Sequence, residues 1–224
     1  MENVPIYASA LFALLTFLTV FLFYKASGND RKTLFILLGW LAIQTKISLS
    51  GFYQVTGTIP PRIILIGLPA VLFIAGLFIT AKGRAYVDQL DLKKLTLLHT
   101  IRVAVEFVLL WLFIYKAIPQ RMTFEGYNFD ILAGLTAPLI YYFVFVKMIF
   151  SRRFLLVWNI ACLCLLINII IQAIFSTPTV FQQFAFDQPN IAILYFPFVW
   201  LPCCVVPLVF LSHLAAIRQL TSNE

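Results

Sequence analysis

The sequence predicts an all-α, polytopic membrane protein, a seven-transmembrane-helix bundle forming one transmembrane domain over residues 1–224. Three observations predict it. Of the 224 residues, 62% are hydrophobic and 11% charged, with mean hydropathy +0.97; a soluble domain does not have this composition. Apolar runs of membrane-spanning length recur along the chain, at about 5–24, 33–54, 62–81, 97–118, 129–149, 154–175 and 190–213. The basic residues fall in alternate connections. In hydrocarbon every backbone polar group must be paired internally, so each run is read as a helix.

The charge pattern sets the expected topology. Lys25, Arg31 and Lys32 follow the first run, and Lys82, Arg84, Lys93 and Lys94 follow the third. Lys147, Arg152 and Arg153 separate the fifth and sixth, and Arg218 follows the seventh. The other connections hold only Arg62, Lys116 and Arg121. By the positive-inside rule the N-terminus lies outside and the C-terminus in the cytoplasm, in a plasma or bacterial inner membrane. The lipid bilayer is thus the expected partner. The net charge of +7 is read as a topology signal and not as a nucleic-acid surface.

The runs differ in character. The first has its positive charge after it, at Lys25, which marks a retained helix rather than a cleaved signal. The second is apolar through Trp40 and then polar: Gln44, Thr45, Lys46, Ser48, Ser50 and Gln54. The third opens with Pro60 and Pro61, a favourable helix start, and Pro69 should kink it. Residues 82–96 read as a short amphipathic turn on the cytoplasmic surface. The fourth run carries His99, Arg102 and Glu106 on one helix face. A polar loop follows Pro119, with Arg121, Glu125 and Asp130, and is placed outside. Pro138 lies in the fifth run and Asn159, Asn168 and Gln172 in the sixth. The seventh contains Pro197, Pro202 and Pro207 and ends near His213.

An internal repeat is suggested. At one constant offset Ile43 meets Ile171, Gln44 meets Gln172, Ser48 meets Ser176, Pro61 meets Pro189 and Pro69 meets Pro197. Residues of about 5–82 and 129–213 are then two parallel three-helix units, and the helix of about 97–118 joins them. This three-one-three layout, with an outside N-terminus, resembles the SWEET sugar transporters; the seven-span layout also resembles the microbial rhodopsins. The resemblance is one of layout and carries no diagnostic motif. The seventh run has no lysine for a retinal Schiff base, and the only Pro-Gln pair, Pro119-Gln120, lies at a helix end.

The candidate ligand-binding residues are Lys46, Gln44, Ser48, Arg102, Glu106, Asn168 and Gln172, with Glu125 and Asp130 in the outer loop. Charges within a membrane span are expensive and face the protein interior. If these faces converge, they line a cavity between the repeats, where such proteins hold substrates. Glu106 should pair with Arg102, four residues away, or with Lys46. The function expected is small-molecule transport or ligand sensing. The alternatives are an intramembrane lipid-modifying enzyme and a structural subunit. His99 and His213 both fall toward the cytoplasmic side and are the weak candidates for a metal. No HxxxH spacing, nucleophile elbow or phosphate loop appears, and no motif names a cofactor, which stays unknown at this point. Cys162, Cys164, Cys203 and Cys204 all fall in helical runs without CxxC spacing and read as packing residues.

Overall fold

A computed structural model describes residues 4–222. They form helices joined by short connections, with no strand among the described residues. Five helices are long and apolar enough to cross a membrane: Ile6–Ala26, Arg31–Leu49, Leu92–Ile114, Arg152–Ser176 and Leu201–Thr221. A sixth candidate is a pair, Ile64–Ile79 and Ala81–Asp88, bent by 94°. Ile131–Val146 is apolar but shorter. The chain is therefore a helical protein with the dimensions of a membrane protein.

In chain order, α1 is Ile6–Ala26 and α2 Arg31–Leu49. Asp30 caps α2 by accepting from the backbone N–H groups of Lys32 and Thr33. The helix stops short of the expected 54 because Gly51 adopts φ +77°, the left-handed conformation that ends helices. α3 is Ile64–Ile79, with Pro69 inside it. Thr80 then caps α4, Ala81–Asp88, and Arg84 Nη1 donates to the terminal carbonyl of Ile79 at 2.6 Å. The expected polar turn over 82–96 is thus partly helix. Asp91 caps α5, Leu92–Leu98, through the N–H groups of Lys93 and Lys94, so this span begins five positions earlier than the hydropathy suggests. A break at His99 and Thr100 leads into α6, Ile101–Ile114. Lys116, at φ 59°, and Pro119 keep it from continuing.

α7, Ile131–Tyr141, continues as a π-helical turn over Tyr142–Val146. α8 is Arg152–Ser176. The last span starts as a π-helical turn, Leu201–Val205, and becomes α9, Val206–Thr221. Residues 191–200, expected to be helical, are a buried irregular stretch. Pro197 lies in it while Pro69 lies inside α3, so the two prolines do not occupy equivalent kinks. The span then runs eight residues past His213, placing that histidine inside the bundle and not at its edge.

The two ends of the bundle are defined by long-range bonds. At one end the Asp91 N–H donates to Ala26 O at 2.9 Å, and Arg218 pairs with Asp88 at 2.8 Å. Gln219 Nε2 donates there to Val87 O at 2.8 Å. The basic residues of the alternate connections gather at this end. At the other, Tyr7 meets Tyr115 at 3.2 Å and Gln188 Nε2 donates to Ile118 O at 2.6 Å. The core between them is built on Phe12, Phe23, Leu95, Leu98, Leu112, Ile118, Phe198 and Leu208.

Candidate functional site

The functional candidate with the most structure behind it is a buried polar centre between α6, α7, α8 and α9. It starts from Arg102, in the first turn of α6 and 3% exposed. Its guanidinium binds Asp130 with two N–H groups, Nε and Nη2, one to each carboxylate oxygen. This bidentate geometry is the strongest form of an Arg–carboxylate pair. The third arm, Nη1, donates to Nε2 of His213 at 2.9 Å.

That last contact settles the histidine's state. A guanidinium has only donors, so Nε2 must accept. The proton then sits on Nδ1, which donates to Oδ1 of Asn159 at 2.9 Å; Asn159 Nδ2 in turn donates to Leu155 O at 2.9 Å. His213 is a neutral imidazole with both nitrogens committed. His99 stacks on it, with ring centroids 3.8 Å apart and planes at 11°. Trp158 meets both rings edge-on, at 5.7 and 6.0 Å.

Glu106 sits one turn further along α6 and is 2% exposed. Its Oε1 accepts from Asn128 Nδ2 at 2.6 Å, while Oε2 has no partner. Nδ1 of His99 is also buried without a partner. Such atoms are rare in folded proteins and call for a specific explanation.

Asn128 and Asp130 reach this depth because residues 119–130 do not stay at the surface. A turn at Gln120–Met122 and a tight bend at Gly126 fold the segment inward. A Cβ on Gly126 would fall 2.4 Å from Gln120 O, so only glycine fits. Asn128 is fully buried, and its Oδ1 accepts from the Asp130 N–H at 3.0 Å. α7 therefore starts at the level of Arg102. This explains its shortness. Irregular backbone at such depth is tolerated where protein surrounds it.

Residues 59–221 match a family described as a domain of unknown function (DUF8737). The chain belongs to that family. No curated protein and no solved structure matches it. The matched stretch contains every member of the polar centre, from His99 to His213, and begins after α2.

The residues expected at one site are distributed over several. His99, Arg102, Glu106, Asp130 and His213 come together. Asp130 is a correction: it is not an outer-loop residue but the buried partner of Arg102. Arg102 gives its direct ion pair to Asp130 in place of the expected pair with Glu106, which feels the guanidinium only through space, and the expected Lys46–Glu106 pair does not form. Lys46 is exposed on α2, and its ammonium has no hydrogen bond or ion pair among the described residues. Gln44 accepts from Tyr53 Oη at 2.7 Å, and Ser48 Oγ donates to Leu194 O at 3.3 Å. Both thus hold connections in place. Asn168 Nδ2 donates to Tyr127 O at 2.7 Å and Gln172 accepts from Arg121 Nε at 2.7 Å, so this pair anchors the inward-folded segment. Glu125 is exposed.

The histidines meet as a stacked pair. Their stacked rings keep the nitrogens in parallel planes, both nitrogens of His213 are used, and no group of three or more suitable ligands exists among the described residues. Asn128 escaped the sequence reading, and Asn159 was noted in the sixth run but not placed at the site. The Asn-Phe-Asp pattern just before an apolar run was the available signal for the first, since Asx residues often cap and turn the chain there. Cys164 is exposed, whereas Cys162, Cys203 and Cys204 are buried.

Proposed function

We propose that this is an integral membrane transporter whose cycle turns on protonation of Glu106. The observation that carries the reading is the charge inventory of the buried centre. Two acids, Glu106 and Asp130, face one base, Arg102. His213 is neutral by its hydrogen bonds, and His99, packed against it beside Arg102, adds no charge. An uncompensated charge deep in a membrane costs about 2.5–3.5 kcal/mol or more. Arg102 gives two donors to Asp130 and its third arm to His213, so Glu106 is the surplus acid. The centre is neutral when Glu106 holds a proton, and Oε2 is the free oxygen to hold it.

In this reading the chain crosses the membrane seven times, with its N-terminus outside and its basic end in the cytoplasm. The inward-folded 119–130 segment and the irregular 191–200 stretch are the broken elements at depth on which transporters build their sites. The Gln44–Gln172 correspondence supports two related three-helix units; the placement of Pro69 and Pro197 does not. The enzyme reading has less support, because His213 has no free nitrogen for chemistry.

The test is infrared difference spectroscopy on the full chain in liposomes. A rise in pH should remove the C=O stretch of a protonated carboxyl, and Glu106→Gln should abolish that signal. A variant spectrum identical to the parent's would end the proposal.

A further inference from the structure

A cavity lies away from the polar centre. It is a groove of about 580 Å³ between α2, α3 and the last span, within the ordinary range for small-molecule sites. Its walls are apolar, from Ile36, Gly39, Ile43, Phe73, Leu208 and others. α2, which forms one side, is the least buried of the long helices, at 17%. Its large side chains Phe35, Ile36 and Ile43 are exposed, so the groove opens sideways toward lipid.

One end of the groove is different. Asp30, Lys32, Thr33 and Tyr86 line it, at the basic end of the bundle. The Asp30 carboxylate is turned to its own helix start: its oxygens accept from the N–H groups of Lys32 and Thr33 and from Thr33 Oγ1 at 2.7 Å. Tyr86 Oη lies 2.8 Å from Thr33 Oγ1, and since that hydroxyl donates to Asp30, the tyrosine donates to it. The ammonium of Lys32 makes no hydrogen bond or close salt bridge among the described residues, and the nearby charge that it feels is Asp30. It is the polar group left available at this mouth, and Arg31 beside it adds a second positive charge.

We infer that this groove is a binding site for an anionic membrane phospholipid, with one acyl chain between α2, α3 and the last span and the phosphate head at Lys32. The bilayer supplies the chain, and the Lys32 ammonium, with Arg31 next to it in sequence outweighing the one carboxylate of Asp30, selects the head. The site goes beyond the transporter reading and depends on it only in the step from bound lipid to cargo.

Gly39 makes the site testable. Gly39 lines the groove and a Cβ there meets nothing within 4 Å, so Gly39→Trp puts the bulk of an indole at the groove wall. Lys32→Glu reverses the charge at an exposed position and leaves the walls intact. The experiment is native mass spectrometry of the purified full chain in detergent, titrated with phosphatidylglycerol or with phosphatidylcholine of the same chains. The parent should retain phosphatidylglycerol at least tenfold better than phosphatidylcholine. Lys32→Glu should erase that preference, and Gly39→Trp should lose both lipids. Equal retention of the two lipids by the parent overturns the inference, as does an unchanged preference in Lys32→Glu. If Gly39→Trp does not fold, the Lys32→Glu result decides alone. Loss of this inference with the Glu106 infrared signal intact leaves the proposed function standing; the reverse pattern removes the function and keeps the site.

Discussion

Asp130→Asn is the sharpest perturbation of the buried centre, because it changes one charge and almost no volume. Arg102 and Asp130 are 3% and 5% exposed, so neither can turn to bulk water. Removing one partner of such a pair typically costs about 3–5 kcal/mol, a large share of the roughly 5–15 kcal/mol that holds a domain folded. Here a second acid can respond. With Asp130 neutral, Arg102 is uncompensated and the centre is relieved when Glu106 gives up its proton. Asp130→Asn should therefore cost less than that range at neutral pH, and the protonated-carboxyl band of Glu106 should disappear. Glu106→Gln alone should be mild, because it replaces a neutral group that keeps its bond to Asn128. The double variant leaves Arg102 with no acid at all, so its loss should exceed the sum of the singles by at least about 1 kcal/mol, within the usual range for coupled neighbours. Thermal unfolding in one detergent at fixed pH measures all four proteins. Additive losses, or a band that survives in Asp130→Asn, would refute the charge inventory.

The other predictions concern packing and topology. Cysteine substituted for Glu125 should react with an impermeant reagent from outside, and cysteine at Arg152 only from the cytoplasmic side; the reverse pattern inverts the assigned orientation. A methyl at Gly134 would sit 2.8 Å from both the backbone N and Cγ2 of Val103 and 3.2 Å from Arg102 Cβ. Gly134→Ala should thus force α7 off α6 and cost about 1–3 kcal/mol, read as a lower unfolding temperature. Tyr53→Phe leaves Gln44 Oε1 buried and unpaired and should cost about 1–3 kcal/mol; burial pushes this phenol up to about 12, so the loss should be the same at every pH up to 9. For Asp91, burial raises the carboxyl but the Lys94 ammonium and the N–H groups at the helix start outweigh it, leaving its folded value low. A depressed carboxyl contributes stability above its unfolded value near 4 and loses it as pH falls through the folded one. Asp91→Ala should accordingly cost about 0.5–2 kcal/mol at pH 7, and the gap between parent and variant should close as the solution is acidified below 4.

The face His99–Arg102–Glu106 was legible because helical periodicity and the cost of intramembrane charge both point it inward, and the structure places all three in the core. Lys46 shows the limit of the same reasoning. It was grouped with Gln44 and Ser48 by composition, yet on a helix Lys46 lies about 200° around from Gln44, while Ser48 shares its face. Gln44 and Ser48 are buried and Lys46 is exposed, close enough to the helix end for its stem to carry the ammonium to the surface. Asp130 was misplaced for a different reason. No periodicity governs residues 119–130, and their descent to Arg102 depends on bonds to α8 through Asn168 and Gln172, which lie about forty or more positions away. A polar, aperiodic stretch between two apolar runs reads as a surface loop unless its partners are known. The helix ends moved for local reasons, at Asp91, Gly51 and Pro202, each a capping or terminating residue that hydropathy alone does not weigh.

The polar centre and the groove share one element. On the last span, Leu208 and Leu211 face the groove while His213 faces Arg102 and Asn159; positions 211 and 213 are about 200° apart on a helix. The span is therefore a common wall, with lipid-facing cavity on one side and charged network on the other. Its first turn is π-helical, with Pro202 and Pro207 removing backbone donors at its start, and Trp40 ties that turn to α2, its indole donating to Cys203 O at 2.9 Å. Trp40 is itself a groove residue. A chain lying against Trp40, Leu208 and Leu211 bears directly on the helix that positions His213, and His213 receives the one arm of Arg102 not given to Asp130. Any shift of the span that loosens that contact alters how well Arg102 is satisfied, and hence how readily Glu106 yields its proton. By linkage the effect must run both ways: whatever occupancy of the groove does to the proton on Glu106, the proton does by the same factor to occupancy of the groove.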